Sequence, residues 1–289
     1  MNKGISVVLA VYNEENNLRD CINSTGDLSS EIVIVDGGSE DKTVEIAKEL
    51  GAKVIVTTNP PIFHINKQKA IDAATSEWIL QLDADERLTK NLIEEIRKVI
   101  NMDEGELEEY QKKLPKRELF LRHQKLLEQR DGHIGTLEGN YVAFFVPRLN
   151  YFLGSFLKYG GVYPDGAIRL VKKGKAYFPC KTVHEQMVID GRVGWLEHDM
   201  LHIDSPTFKR YIQRNVRYIK LITAEFRRDN IGKNPIEFVN YCLVKPVFWF
   251  FGTQIRHKGF LDGVPGIVFS LFSALRFPRA YIRYLLNKD

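Results

Sequence analysis

The sequence predicts an α/β fold with a mostly parallel sheet and helices on both faces. In the first hundred residues, short apolar runs alternate with helical patterns, which is the rhythm of βαβ units. The runs are continuously apolar, as expected for strands that are buried on both faces. In such a sheet the strands end at a common edge, and ligands bind there.

The elements follow in order. We predict strands at residues 5–11, 31–36, 53–57 and 77–82, and helices at residues 15–24, 40–50, 66–74 and 89–101. Residues 103–131 carry many charges of both signs, which predicts a surface helical insertion interrupted at Pro115, most simply without a function. Further strands are predicted at residues 141–147, 167–171 and 192–196.

Three acidic residues within four positions end the fourth strand. Strand alternation would place the carboxylates of Asp83 and Asp85 on one side of the backbone. Such a pair suits a hard divalent cation whose other ligands are substrate phosphates. The alternative is a solvated turn that leads into the helix near Thr89.

Asp36 ends the second strand and precedes Gly37 and Gly38. Its carboxylate can accept from a ribose hydroxyl or a base N–H, and the glycines allow close approach of the backbone. A plain helix-entry turn would explain the glycines but not the aspartate. Residues 10–16 contain no glycine, so the G-x-G-x-x-G turn of a nicotinamide-dependent oxidoreductase is absent from the sequence.

Charge is distributed unevenly along the chain. Residues 1–205 hold 26 Lys and Arg against 32 Asp and Glu, whereas residues 206–289 hold 15 against 5. The basic region indicates an anionic partner. Its aromatic residues lie in long apolar runs, which is not the pattern that stacks on nucleic acid bases.

Amphipathic helices are predicted over residues 206–289, with strongly apolar stretches at 238–255 and 259–286. The longest run without charge, residues 263–275, is shorter than the roughly 20 residues that span a bilayer. We therefore expect these helices to lie in the membrane interface, with packing on the catalytic domain or on a second subunit as the alternative. The three cysteines show no disulfide or zinc spacing, which favours a reducing cytoplasm, and no secretion leader is expected.

Three stretches resemble family 2 glycosyltransferases of the GT-A fold: VVLAVYNEE from Val7, VDGGSEDKT from Val35 and LDADE from Leu82. Later stretches resemble the lipopolysaccharide core β-1,4-glucosyltransferase subgroup: RLNYFLG from Arg148, YPD from Tyr163, VHE from Val183 and GFLDGVPG from Gly259. The resemblance covers nearly the whole chain. Its main departure is residues 103–135, which are longer than expected and bear on acceptor identity.

The resemblance implies a GT-A, Rossmann-like catalytic domain over residues 1–205, followed by a basic, membrane-associating helical region over residues 206–289. Within the domain, residues 1–100 would bind the nucleotide sugar, residues 103–135 form the insertion, and residues 136–205 face the acceptor.

The resemblance also implies a nucleotide-sugar pocket. Its expected members are Ala10, Tyr12, Asn13, Glu14, Asp36, Gly37, Gly38, Lys67, Asp83 and Ala84. Lys67 can meet a phosphate as a point charge, or it is simply an exposed lysine. Tyr12 can equally be a core aromatic residue.

Asp85 is the expected direct ligand of Mg²⁺ or Mn²⁺, and Asp83 is expected to ligate the metal or to contact ribose. The metal would neutralise charge on the departing nucleoside diphosphate. His184 is a further candidate metal ligand, with a hydrogen-bonded structural histidine as the alternative. The sequence assigns no role to His198 or His202.

An inverting transfer needs a base that takes the proton of the acceptor hydroxyl. Glu185 is preferred because His184 precedes it, and Asp165 would then hold acceptor hydroxyls; the reverse order stays open. Arg169 either pairs with a phosphate or supports Asp165.

Together these features predict metal-dependent transfer of a hexose, expected to be glucose, from a UDP-hexose to a cell-envelope glycolipid or polysaccharide such as lipopolysaccharide core. The enzyme is expected in the cytoplasm, peripheral on the inner face of the membrane. An anionic membrane surface is the predicted partner, and binding to nucleic acid is not expected. Formation of an oligomer through the C-terminal helices is left as a possibility. The alternatives are transfer to a protein side chain and a non-catalytic nucleotide-binding scaffold.

Overall fold

The computed structural model of the protein describes residues 4–181 and 186–287. Its strands are β1 (Ile5–Val11), β2 (Glu31–Asp36), β3 (Lys53–Val56), β4 (Trp78–Leu82), β5 (Glu86–Arg87), β6 (Tyr141–Val146), β7 (Arg148–Phe152), β8 (Ser155–Leu157), β9 (Ala167–Lys172), β10 (Ala176–Tyr177), β11 (Val188–Ile189), β12 (Arg192–Trp195) and β13 (Met200–Ser205).

Its α-helices are α1 (Leu18–Ser24), α2 (Thr43–Glu49), α3 (His64–Asp72), α4 (Lys90–Val99), α5 (Glu104–Lys112), α6 (Arg117–Asp131), α7 (Phe208–Arg228), α8 (Pro235–Val239), α9 (Lys245–Phe251), α10 (Gly263–Ala274) and α11 (Arg276–Leu285). Two π-helical turns, Asn240–Val244 and Gly252–Arg256, and a 3₁₀ turn, Gly259–Asp262, join helices near the C-terminal end.

The chain divides into two compact units. The first comprises Met1–Arg148 and Pro164–His202, and the second comprises Leu149–Tyr163 and Ile203–Asp289. A short stretch in the middle of the sequence therefore belongs with the C-terminal helices.

A seven-stranded sheet organises the first unit, in the order β12-β6-β9-β4-β1-β2-β3. Strands β1, β2, β3 and β4 run parallel, whereas β9 lies antiparallel to both β4 and β6. In the register, Val11 pairs with Asp36 and Leu9 pairs with Leu82, so β1, β2 and β4 end close together. The predicted mixed, mostly parallel α/β sheet of the GT-A class is confirmed.

Both faces of this sheet are buried. Val7 and Val8 point to opposite faces of β1, and each is 0% exposed. Val7 belongs to a core cluster that includes apolar residues of α1, α4 and α5, and α3 contacts β1 and β2. The sheet is therefore a rigid platform for the loops at its carboxyl edge.

Local signals set several of the helix boundaries. Thr89 caps α4 by accepting from the backbone N–H of Leu92. Gly51 follows α2 with φ +74°, as its position predicts. The break at Pro115 is confirmed, because α5 ends at Lys112 and α6 begins at Arg117.

The insertion packs more closely than its charged composition predicts. Leu107 and Phe120 are buried, and Phe120 stacks on Trp195 with ring centroids 4.6 Å apart. Gln111 donates to the carbonyl oxygen of Trp195 at 2.8 Å and accepts from its N–H at 2.9 Å, so it continues the ladder at the edge strand β12. Residues 103–131 are therefore not simply a solvated excursion.

Six short strands were not predicted, namely β5, β7, β8, β10, β11 and β13. They hold two to six residues each, and β7 and β13 mix polar with apolar side chains, so they show no apolar run. Strands this short form because a neighbouring strand pairs with them, so the sequence pattern alone does not reveal them.

In the second unit, Thr207 caps α7, so this helix begins at Phe208, two residues into the predicted helical region 206–289. In the part of the chain that the structure describes, Gly259–Leu285 is the one helical segment that is long and apolar enough to cross a membrane by length and composition.

Candidate functional site

The aspartate stretch forms a turn rather than an extension of β4. The backbone N–H of Glu86 donates to the carbonyl oxygen of Asp83 at 3.0 Å, and the N–H of Asp83 donates to the Glu86 carboxylate at 2.9 Å. Strand alternation therefore does not govern Asp83 and Asp85, which corrects our expectation. The turn is not a solvated one either, because Ala84 and Glu86 are buried.

Asp83 lies between two cations. Its Oδ1 atom is 2.5 Å from the Lys67 Nζ atom, and its Oδ2 atom is 2.5 Å from the Arg169 Nη2 atom. Burial raises the pKa of Asp83, but Arg169 and Lys67 outweigh burial and hold that pKa well below its usual range. Lys67 is 8% exposed and is therefore not an exposed lysine; burial lowers its pKa against the opposing effect of Asp83.

Glu86 connects the two arginines of the site. Its side chain is 0% exposed, and its Oε1 atom lies 3.1 Å from Arg148 Nη1 and 2.7 Å from Arg169 Nη2. Arg169 also donates to the side-chain oxygen of Gln81 at 2.5 Å. Burial alone would lower the pKa of both arginines, but the neighbouring carboxylates reverse this and raise the pKa. Both arginines are therefore held in their charged form within an extensive set of hydrogen bonds.

Asp165 pairs with Arg148 rather than with Arg169. The Arg148 Nη2 atom lies 2.8 Å from Asp165 Oδ2, and its Nε atom donates to the Asp165 carbonyl oxygen at 3.1 Å. The suggestion that Arg169 supports Asp165 is therefore wrong, because Arg169 is already engaged with Asp83, Glu86 and Gln81. Asp83 and Asp165 thus belong to one chain of ion pairs through Glu86.

His202 is a site residue that the sequence did not single out. Its Nε2 atom lies 3.6 Å from Asp85 Oδ2, and its Nδ1 atom lies 4.0 Å from Asp165 Oδ2. Burial raises the pKa of Asp85, whereas the hydrogen bond and charge of His202 lower it, and the net shift is downward. The antiparallel pairing of His202 with Glu86 brings β13 beside the turn, so only the position of that short strand could have revealed it.

The metal-ligating atoms at Asp85 and His202 fit a divalent cation that takes its remaining ligands from the substrate. Among the residues that the structure describes, no group of three or more His, Cys, Asp or Glu side chains is placed to hold a metal by itself. Asp85 and His202 offer a carboxylate oxygen and an imidazole nitrogen, a set that suits Mn²⁺ when substrate phosphates complete the shell. Asp83 fits this role less well because both of its oxygens face cations. His184 and Glu185 lie outside the described residues.

Asp36 is buried and braces the glycine turn that follows it. Its Oδ1 atom accepts from the N–H groups of Gly38 and Ser39, each at 2.9 Å, and its Oδ2 atom accepts from the Ser39 hydroxyl at 2.5 Å. Gly38 has φ +83°, which favours glycine. Both oxygens of Asp36 thus have partners in the turn, so turn formation alone accounts for an aspartate at this strand end.

The loop after β1 is fastened to this turn. Asn13, which has φ 55°, donates its N–H to the Ser39 hydroxyl at 2.8 Å and accepts from the Glu40 N–H at 2.8 Å. The N–H of Glu14 donates to the Thr43 hydroxyl at 2.8 Å. Tyr12 is 41% exposed and is therefore not a core aromatic residue. Two strand-end loops consequently form one surface beside Ala10.

A mixed, mostly parallel sheet with hydrogen-bonded loops at the carboxyl edge of β1 and β2, and an acidic turn held in ion pairs after β4, fits the GT-A class of glycosyltransferases. Residues 6–144 match the family described as glycosyl transferase family 2. The chain is therefore a glycosyltransferase with a family 2 domain.

The chain is 26% identical to an uncharacterized glycosyltransferase of Rickettsia typhi over 99% of its length and 89% of that protein. It is also 26% identical to the lipopolysaccharide core biosynthesis glycosyltransferase LpsC of Rhizobium meliloti, over 94% of this chain and 91% of that protein. Glucosyl-3-phosphoglycerate synthase of Mycobacterium tuberculosis, solved with Mn²⁺ and uridine-diphosphate-glucose, aligns at 26% identity with 29% of this chain and 34% of that chain, with a TM-score of 0.27.

Proposed function

We propose that the protein transfers a hexose, expected to be glucose, from a UDP-hexose to a cell-envelope glycolipid or polysaccharide such as lipopolysaccharide core. The observation that carries the proposal is the convergence of Asp85, His202 and Asp165 beside the ionised Asp83 turn. Similarity to LpsC over most of both chains supports an envelope glycan as the acceptor.

In this proposal the cations of the site receive the donor. Lys67 and Arg169 are held at the turn by Asp83, and a diphosphate bound there would share these two cations with that carboxylate. Asp85 and His202 would hold Mn²⁺ or Mg²⁺, which when bound neutralises charge on the departing nucleoside diphosphate. The surface formed by Tyr12 and the Asp36 turn would bind the nucleoside.

Glu185 remains the preferred base, and Asp165 the residue that orients acceptor hydroxyls. Arg148 holds the Asp165 carboxylate in place at 2.8 Å, which suits a residue that orients acceptor hydroxyls. The acceptor would be bound by residues 136–205, and residues 206–289 would hold the enzyme on the cytoplasmic face of the membrane.

Isothermal titration of UDP with and without Mn²⁺ tests the donor site. We expect UDP to bind the wild type only when Mn²⁺ is present. In Asp85→Asn, adding Mn²⁺ should no longer increase the binding of UDP. Glu94→Gln, an exposed carboxylate change on α4, is the matched control. Metal-dependent binding that persists unchanged in Asp85→Asn would refute the metal assignment.

The donor sugar needs a separate measurement. A panel of nucleotide sugars, screened for release of the nucleoside diphosphate, should show fastest hydrolysis with UDP-glucose. Hydrolysis of none of them in the presence of Mn²⁺ or Mg²⁺ would contradict the transferase mechanism that we propose.

A further inference from the structure

The second unit contains a helical hairpin with exposed apolar faces. Its first arm, Pro235–Arg256, comprises α8, α9 and two π-helical turns, and its second arm is α10. The 3₁₀ turn Gly259–Asp262 lies at the tip, and α9 packs against α10. We call residues 235–274 the docking hairpin.

Large apolar side chains recur every three or four residues along each arm and stay exposed. They are Ile236, Val239, Leu243, Val247, Phe251 and Ile255 on the first arm, and Phe260, Val264, Ile267 and Leu271 at the start of and along the second. Exposure reaches 79% at Ile236 and 69% at Val264. This spacing forms a stripe along a helix, and an exposed stripe of this extent marks an interaction surface.

The tip of the hairpin is basic and well ordered by hydrogen bonds. Arg256 and Lys258 are exposed there. The carboxylate of Asp262 accepts from the N–H of Lys158 at 3.1 Å and from that of Tyr159 at 2.9 Å, which fastens a third basic residue to the tip. The His257 carbonyl oxygen also accepts from the Gly160 N–H at 2.9 Å.

A lipid surface is the occupant that matches both features. Apolar stripes alone would also suit a second copy of this chain, but a copy would bring its own basic tip and the same net positive charge. Residues 206–289 hold 15 Lys and Arg against 5 Asp and Glu, so the charge of the region complements an anionic bilayer. Aromatic side chains beside basic ones are typical of the headgroup level.

We propose that the docking hairpin lies in the interface of an anionic bilayer, with its stripes among the outer acyl chains and Lys158, Arg256 and Lys258 on lipid phosphates. This orientation differs from a membrane span. A spanning Gly259–Leu285 segment would carry the charges of Arg276 and Arg279 toward the bilayer interior, where charges are costly.

The proposal deepens the proposed function and rests on it for one point, namely that the acceptor is lipid-borne. The loop fastened to the tip ends at Tyr163, and Asp165 follows two residues later in the chain. Membrane contact at the tip would therefore hold the segment that leads into the acceptor side of the site.

Trp249 provides a direct test. It lies on the hairpin and is 47% exposed, whereas Trp78 and Trp195 are 3% and 2% exposed. Vesicles of phosphatidylglycerol and phosphatidylcholine should shift its fluorescence to the blue, and lipids brominated near the headgroup should quench it more than lipids brominated near the chain end. Strongest quenching from the bilayer centre, or no response, would overturn the proposal.

Paired charge reversals test the tip. Arg256→Glu with Lys258→Glu should weaken binding to these vesicles by about tenfold or more. The matched control is Arg217→Glu with Lys220→Glu, which makes the same charge change on exposed positions of α7. Equal weakening by both pairs would show that net charge alone drives binding and would overturn the tip assignment.

Two further measurements separate the possible failures. Far-ultraviolet circular dichroism and nucleoside diphosphate release should be the same in both double variants as in the wild type, which establishes that they are folded. Vesicle binding without any nucleotide-sugar turnover by the wild type would contradict the proposed function but not the docking surface.

Discussion

The Nε2 atom of His202 lies 3.6 Å from the Oδ2 atom of Asp85. The two residues are far apart in the sequence, and the pairing of β13 with β5 brings them together. The same imidazole also faces Asp165, with its Nδ1 atom 4.0 Å from Asp165 Oδ2, so in the function that we propose His202 would lie between the metal-binding and the acceptor-binding carboxylates.

The first prediction concerns this imidazole. Replacing His202 with Gln removes an aromatic nitrogen donor while keeping a polar side chain. In the presence of UDP, the affinity for Mn²⁺ should fall by about tenfold or more, as seen by isothermal titration. The control is His198→Gln, because His198 contacts Glu95 on α4, 3.0 Å away. Equal affinities for wild type and His202→Gln would exclude His202 from the metal site.

A second prediction concerns Glu86. Glu86→Gln should lower the free energy of unfolding by about 3–5 kcal/mol, because it leaves the buried guanidinium groups of Arg148 and Arg169 without their shared carboxylate. Urea denaturation measures the change. Exposed Glu94→Gln on α4 should change stability by less than about 0.5 kcal/mol. Should the two variants be equally stable, the network would not contribute to folding.

A pH dependence follows from the lowered pKa of Asp83. A carboxylate with a lowered folded-state pKa stabilises the fold fully above its unfolded value, near about 3.9, and progressively less as pH falls toward the folded-state value. Asp83→Asn should therefore melt below the wild type at neutral pH, and the difference should shrink as pH falls below about 4. Thermal melts across that range measure it.

The control for this experiment is Asp72→Asn, which changes an exposed carboxylate on α3 and should alter the melting temperature little at any pH. A gap between wild type and Asp83→Asn that stays constant from neutral to acid pH would mean that Asp83 acts through packing rather than through its charge.

A fourth prediction concerns the bridge from Glu86 to Asp165. Arg148 contacts the two carboxylates through separate nitrogens of its planar guanidinium, and the single nitrogen of a lysine cannot reproduce that fork geometry. Arg148→Lys should lower kcat by about tenfold or more while UDP affinity stays within about threefold. The double variant Arg148→Lys with Asp165→Asn should show a smaller loss of kcat than the product of the losses in the two single variants, because the two residues act through one contact.

Arg117→Lys, an exposed change on α6, is the matched control and should leave both quantities unchanged. A parallel loss of UDP affinity in Arg148→Lys would instead place Arg148 on the donor side of the site.

Several parts of this arrangement were predictable because they depend on neighbours in the sequence. The apolar runs of β1, β2 and β4 identified buried strands, and Pro115 identified the break in the insertion. The acidic stretch was located correctly at the end of β4, and a solvated turn there was the stated alternative. The burial of that turn was not foreseen, since it depends on the Glu86 side chain, which accepts from the backbone of Asp83.

The partners of the charged residues were not predictable in the same way. Arg169 was considered as a support for Asp165, yet β9 lies beside β4 in the sheet and places Arg169 against Asp83. Arg148 stood in a recognised motif without an assigned role. Such assignments depend on sheet order and register, which a single sequence does not reveal.

The sequence by itself determined which segments would be buried strands, where the charged strand ends would fall, and that a basic apolar region would follow. Periodicity and composition carry this information because burial acts on each segment separately. Only the tertiary structure decided which carboxylate meets which cation and that His202 stands beside Asp85. Ion pairs act over a few ångströms, and it is the packing of distant strands, not their order in the chain, that sets those distances.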